Sequence, residues 1–245
     1  MAEFRTMRSA AGTRTAAIDE GLRAHMNKVY GTMSVGMLLT FLVAWAVGSN
    51  PQLLGVFRDP MTLKPNLLGY AVMFAPLLMI FGFGAAINKL SAAGAQLFFY
   101  AFAAVMGLSL SWIFVAFTGV SIAQVFLITA ISFAGLSLWG YTTKKDISGW
   151  GSFLIMGVIG LLVASVVNIF LASAALQFAV SAIGVLIFAG LTAYDTQDIK
   201  NTYIQMAQSG DREWLGKSAI MGALRLYMDF INMFMFLLQL FGNRN

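Results

Sequence analysis

Seven apolar stretches, each about 20 residues long and only the last broken by charge, divide this chain of 245 residues and leave few folds open to it. They run approximately over 30–48, 67–87, 94–118, 121–141, 150–171, 174–194 and 219–241. At roughly 1.5 Å per residue, each is long enough to cross a hydrocarbon core ~30 Å thick as a helix. With 59% hydrophobic and 10% charged residues, the chain cannot clothe a water-soluble core in polar side chains. The runs are apolar all round, so their length and flanks identify them better than periodicity does. The sequence therefore predicts an all-α, polytopic membrane protein, a bundle of seven transmembrane helices.

The remaining residues sort by side of the membrane. Residues 1–28 carry Arg5, Arg8, Arg14, Arg23 and Lys28 but also Glu3, Asp19 and Glu20, which fits neither a cleaved signal nor a mitochondrial presequence. They read as a retained, mobile cytosolic tail ahead of a transmembrane domain over 29–242. Three of the four prolines fall in a polar loop over 49–66, and the fourth, Pro76, predicts a kink in the second span. Very short connectors around Gly119 and Ala172 make their flanking helices antiparallel neighbours. Counting Lys and Arg by alternate loops puts 11 on the side of the tail and only Arg58, Lys64 and Arg244 opposite. By the positive-inside rule the tail faces the cytosol, and an odd number of helices puts the C-terminus on the other side, provided the last segment is not re-entrant. The net charge of +5 is thereby accounted for by orientation rather than by nucleic acid.

Several chemistries are excluded. Without Cys there is no thiolate metal site and no cysteine nucleophile. His25 is the lone histidine and lies in the tail, so neither Ser-His catalysis nor a His-ligated metal is supported, and the chain reads as no enzyme and as needing no cofactor. The last run has no Lys for a retinal Schiff base. Gly82-Phe83-Gly84 lacks the third glycine of a dinucleotide fingerprint, and helix packing through small residues is the expectation there. Trp112, Trp139 and Trp150 stand near helix ends as interfacial anchors, and Asn168 and Gln177 flank a short turn across which they should hydrogen-bond.

Two acids resist a surface explanation. Asp229 lies in the middle of the last run, where a carboxylate costs roughly 2.5–3.5 kcal/mol on insertion scales, so it must face protein or water. Arg225, Asp229, Asn232 and Gln239 are offset by 0, 4, 7 and 14 residues and fall on one narrow stripe. Such a helix needs cover, which predicts the C-terminal helix at the centre of the bundle with the other six around it. Asp195 ends the sixth run and shares a face with Gln177, Ser181 and Gly184. Polar stripes on consecutive helices are expected to face each other; the two carboxyls would then hold one proton between them and titrate as a unit, a built-in pH sensor. The alternative is structural: Arg225 neutralises Asp229 one turn away, and Asp195 is a solvated helix end. Contact between the acids also requires the sixth helix to start late or to tilt, because Asp229 lies deep and Asp195 near a membrane face.

The run Ala193-Tyr-Asp-Thr-Gln-Asp-Ile-Lys200, with Leu226-Tyr-Met-Asp-Phe-Ile-Asn232 and the ending Leu237-Leu-Gln-Leu-Phe-Gly242, resembles the Bax inhibitor-1 / YccA-like family of transmembrane Bax-inhibitor-motif proteins. The similarity covers about residues 30–242. It implies seven helices with a central last helix and a pH-sensitive Ca²⁺ leak. It also implies a di-aspartyl pair near the cytosolic side of a pore, at positions matching Asp195 and Asp229. A basic residue after the second helix latches the first of that pair; Lys89 stands there in place of the family's Arg, and an ammonium cannot offer a planar bidentate fork. Ca²⁺ takes about six to eight oxygens, and two Asp with Asn232, hydroxyls, carbonyls and water form a loose, weak contact for a permeant ion. The resemblance further implies a bacterial inner membrane. Its YccA-like branch supplies the alternative, a non-transporting regulator bound to a membrane AAA protease.

Overall fold

The computed structural model describes residues 2–59, 61–62, 64–207 and 211–245, with side chains from residue 18 onward. Among them are the helices α1 (Ala2–Gly48), α2 (Pro51–Phe57), α3 (Leu67–Ala86), α4 (Ala92–Leu110), α5 (Ile113–Ala116), α6 (Gly119–Thr142), α7 (Trp150–Leu171), α8 (Ala174–Met206) and α9 (Arg212–Phe241). Seven helical segments are long and apolar enough to cross a membrane: Ile18–Gly48 of α1, α3, α4 continued through α5, and each of α6 to α9.

Short polar residues set the starts. The side chains of Asn50, Asn66, Ser91, Thr118, Ser173 and Asp211 accept hydrogen bonds from amides of the first turns of α2, α3, α4, α6, α8 and α9, satisfying donors that a helix cannot pair internally. The turn from α7 to α8 is made by Ala172 in the left-handed region, φ 46°, a conformation costly for a residue with a Cβ. Asn168 holds it: Oδ1 accepts from the Ser173 amide at 3.0 Å while Nδ2 donates to Gln177 Oε1 at 3.1 Å. The helix-to-helix bond expected of that pair is present.

Helix α9 is the centre. It packs on α8, α1, α6 and α4, and it is the most enclosed of the spans. The expected ring of six is in fact four, because α3 packs on α4 and α7 on α8, leaving both in an outer layer facing lipid. Charge explains the centre: α9 carries Arg225 and Asp229 and has to be enclosed, whereas α3 and α7, like α4 and α6, carry no charge and lose little by standing in hydrocarbon. Aromatic side chains close the core, with Tyr227 edge-on to Phe99 and Phe102 and its hydroxyl 2.6 Å from Thr40 Oγ1. Thr40 gives its own proton to the Ala103 carbonyl, so Tyr227 is the donor to Thr40. After α9 the chain is pinned beside the α5–α6 turn, Asn243 O accepting from Thr118 N at 3.0 Å and Asn245 N donating to Ala116 O at 3.1 Å. The last helix thus runs the full height of the bundle and is not re-entrant.

Three boundaries move. Helix α1 is continuous across residue 28, where the sequence placed the end of a tail, and Leu22, His25 and Met26 are buried. Their cover is the far end of α8, where Tyr203 lies against Gly21 and stacks 4.8 Å from the His25 ring. Whether residues 2–17 are mobile lies outside the described side chains. Helix α8 continues to Met206 rather than ending near Tyr194, and α9 begins at Arg212, because both leave the apolar layer as polar helices still packed on one another. Gly82 and Gly84 are exposed, and a Cβ at either would meet nothing within 4 Å, so the small-residue packing expected there is not made.

Close packing instead occurs between α6 and α8. A Cβ at Gly140 would run into the carbonyl oxygen of Ala193, which cannot give way as a flexible side chain can. Gly140→Leu is expected to cost ~1–3 kcal/mol by overpacking. It should lower the thermal midpoint in detergent, whereas Gly135→Leu, into open space, leaves it unchanged.

Candidate functional site

The run from Tyr194 to Lys200 of α8 has a task for nearly every side chain. Tyr194 covers Gly151 of α7. Thr196 donates to the Thr192 carbonyl at 2.7 Å, which leaves Ser137 to donate to Thr196 at 2.9 Å and Tyr30 to donate to Ser137 at 2.6 Å. That directed chain ties α1, α6 and α8 together one residue from Asp195. Gln197 grips the loop before α7, accepting from Ile147 N at 2.9 Å and donating to Lys145 O at 2.8 Å. Lys200 donates to the Tyr141 carbonyl at 2.7 Å, where a cation meets the negative end of α6.

Asp195 and Asp229 are both buried, 9% and 4% exposed, and their carboxyl groups lie within hydrogen-bonding reach of one another. Helix direction resolves the depth problem. Gly222 of α9 faces Ile199, and Gly184 of α8 faces Phe236, which fixes the antiparallel register. In that register Asp229 lies about one turn deeper than Asp195. Side chains lean toward the N-terminus of their helix, so on antiparallel helices these two lean toward each other. Helix α8 therefore need not start late or tilt to bring them together. Asp229 Oδ2 is buried with no hydrogen-bond partner among the described residues, an expensive state for an ionised group.

Arg225 does not neutralise Asp229. Its Nη1 stands 2.6 Å from Asp198 Oδ2 and 3.9 Å from Asp195 Oδ1, and no ion pair joins it to Asp229 among the described residues. The same lean explains this, since it carries the guanidinium away from Asp229 and toward the end of α8. The structural alternative of an intrahelical pair is thereby set aside. Arg225 is half exposed, 47% of its side chain, and with Asp198, His25, Thr202, Trp214 and Ser218 it lines a small cavity of about 160 Å³.

The other expected residues are placed as follows. Lys89 is exposed in the turn between α3 and α4, and its ammonium forms no ion pair with either acid among the described residues; the basic group beside Asp195 is Arg225. Asn232 turns its amide back onto the Met228 carbonyl at 2.8 Å. Gln239 is at the far end of the bundle, where Oε1 accepts from Gln177 Nε2 at 2.6 Å and from Ser181 Oγ at 3.0 Å. The stripe on α9 is thus real but serves three separate places. Among the described residues no group of three or more acidic, His or Cys side chains is gathered tightly enough to hold a metal ion. The loop acids found work elsewhere: Glu213 accepts from the Ala92 amide at 2.6 Å, joining the starts of α9 and α4. Asp198 was the residue that sequence reading missed. Its spacing of three from Asp195 puts both on one face of any helix that continues through them.

Comparison with known proteins agrees with this architecture. Residues 22–245 match the family described as Inhibitor of apoptosis-promoting Bax1. The inner membrane protein YbhL of Escherichia coli (strain K12) is 46% identical over 224 residues, covering 91% of this chain and 93% of YbhL. A Caulobacter vibrioides protein is 46% identical over 231 residues, covering 92% of this chain and 91% of its own length. Protein RP147 of Rickettsia prowazekii is 40% identical over 233 residues, covering 95% and 94%.

Proposed function

This chain belongs to the Bax inhibitor-1 family of membrane proteins, and from that premise we propose that it is a passive, pH-gated cation leak, with Ca²⁺ as the permeant ion, in a bacterial inner membrane. The observation that carries the reading is the juxtaposition of Asp195 and Asp229, with Asp229 Oδ2 buried and without a hydrogen-bond partner among the described residues. A pair of carboxyls in that state holds one proton between them, and its loss leaves four carboxylate oxygens and a negative charge suited to a hard cation. Arg225 takes the role expected of Lys89. Its guanidinium occupies the place between Asp195 and Asp198 that an arriving cation would take, so the path opens when Arg225 swings out toward solvent. Asp195 and Asp229 then meet Ca²⁺ only in passage, consistent with the lack of a gathered ligand set among the described residues. The Lys- and Arg-rich face, from which Arg225 is approached, is the cytosolic one.

Two exposed carboxylates are removed from the pH response by their own loops. Asp59 accepts from the amides of Thr62 and Met61, and Asp146 from the amide of Ser148, which holds both below the usual carboxylate range. Both stay ionised around neutral pH, so a change in flux there belongs to other groups. Protein reconstituted into liposomes with a trapped Ca²⁺ indicator is expected to pass Ca²⁺ at a rate that changes between about pH 6 and 8. Flux no greater than that of empty liposomes, or equal at every pH, overturns the reading and favours a non-transporting regulator.

A further inference from the structure

Helices α1 and α6 both pack on α9, yet they meet each other only near one end, where the Tyr30 hydroxyl reaches Ser137 at 2.6 Å. From there they diverge, leaving an apolar cleft of about 880 Å³ between them. Its floor is the face of α9 bearing Phe230, Ile231 and Phe234, and its walls include Met37 and Phe41 of α1 and Ala123 and Phe126 of α6. Phe126 packs on that floor, its ring tilted 5.3 Å from Phe230 and edge-on 6.1 Å from Phe234. On α6 the lining runs from Gly119 to Phe133, a depth of ~21 Å, deeper than the ~15 Å of one hydrocarbon leaflet.

We propose that this cleft is a binding site for one phospholipid, its acyl chains between α1 and α6 and its headgroup at the end away from Tyr30. Dimensions choose the occupant. A volume of about 880 Å³ over ~21 Å of depth gives a mean width of ~7 Å, whereas a helix with its side chains needs roughly 10–12 Å. Another protein's transmembrane helix does not fit; extended hydrocarbon chains do. The end away from Tyr30, backed by Ile113 and Phe114 of α5, has the polarity an amphiphile requires. The cleft shares Trp45 and Ser49 with a neighbouring cavity of about 710 Å³ whose other lining includes Asn50 and Gln52. On the same face Arg244 lies exposed over the Phe117 ring, 5.9 Å from its centroid and two residues from Gly119, offering a cation to a phosphate. Because the surrounding solvent is itself hydrocarbon, retention comes from packing and from the headgroup rather than from the hydrophobic effect.

The full chain, purified in mild detergent and washed until bulk lipid is gone, is expected to retain about one phospholipid per protein by native mass spectrometry and phosphorus assay. Ala123→Phe, which fills the cleft from a lipid-accessible position, should lower that occupancy at least fivefold, and Ala130→Leu should do the same from deeper inside. Leu162→Phe, on the lipid face of α7, should leave it unchanged. Arg244→Gln should lower it about threefold while sparing the fold, as read by helix content and thermal midpoint. No retained phospholipid in the parent protein, equal retention in a folded Ala123→Phe variant, or recovery of a free fatty acid instead of a phospholipid overturns the assignment.

Discussion

Replacing Arg225 by Gln is expected to raise the Ca²⁺ leak of the reconstituted protein by about tenfold at a fixed pH. The guanidinium now holds Asp198 at 2.6 Å and stands 3.9 Å from Asp195, so it satisfies the charge that would otherwise attract a cation to that end of α8. A hydrogen bond to a charged group is worth roughly 1.5–3 kcal/mol, and half exposure puts this one at the lower end because water screens it; ~1.4 kcal/mol is a factor of ten. Asp198→Asn cuts the stronger of the two ties and should act in the same direction, more weakly because Asp195 still holds Arg225 loosely. In Arg225→Gln/Asp198→Asn the two effects should fall well short of adding, since both remove one interaction. Arg225→Lys keeps the charge but not the planar guanidinium that sets Nη1 between the two carboxylates, so an intermediate leak is expected. If Arg225→Gln lowers the thermal midpoint yet leaves flux at or below the parent value, Arg225 is a structural tie and not a latch.

That prediction turns on residues whose roles were only half legible in the sequence. The seven spans and the central position of α9 could be read because hydropathy and the placement of Asp229 respond to the bilayer, a solvent that acts on every residue alike. The pairing of Asp195 with Asp229 was readable from polar stripes on consecutive helices. What was not readable is where α8 ends. Past Tyr194 its residues turn polar and it looks like a loop, but its helix is maintained by packing on α9 and by Gln197 and Lys200 gripping the loop and carbonyls beside them. Losing that extension hid Asp198, and with Asp198 hidden the spacing of Arg225 and Asp229 invited an intrahelical pair. Lys89 was assigned from a position in a pattern, whereas contact depends on which way the α3–α4 turn faces, and in this fold α3 lies in the outer layer. Leu22, His25 and Met26 read as tail for a similar reason: charged residues are interspersed with them, and the far end of α8 is what makes them a core.

Asp229→Asn is expected to abolish the pH dependence of the leak, and Asp195→Asn to do the same, each leaving a flat profile between about pH 6 and 8. The argument is one of counting protons. Two carboxyls in contact away from water cannot both be ionised cheaply, and as a pair they exchange one proton over the relevant range. An amide at either position keeps the shape and removes the ability to share that proton, so the remaining acid gains a permanent neighbour with an N–H to offer and ceases to be coupled. Because the pair is the unit, the double variant should resemble either single one rather than show twice the effect. Stability should move the other way from function. Asp229 Oδ2 is buried with no hydrogen-bond partner among the described residues, so Asp229→Asn, which removes a charge from that place, should raise the thermal midpoint measured above neutral pH. A double variant that still passes Ca²⁺ with the parent's pH profile would show that the sensor lies elsewhere, and with Asp59 and Asp146 held in their ionised form by their loops, His25 against Tyr203 would be the next group to replace.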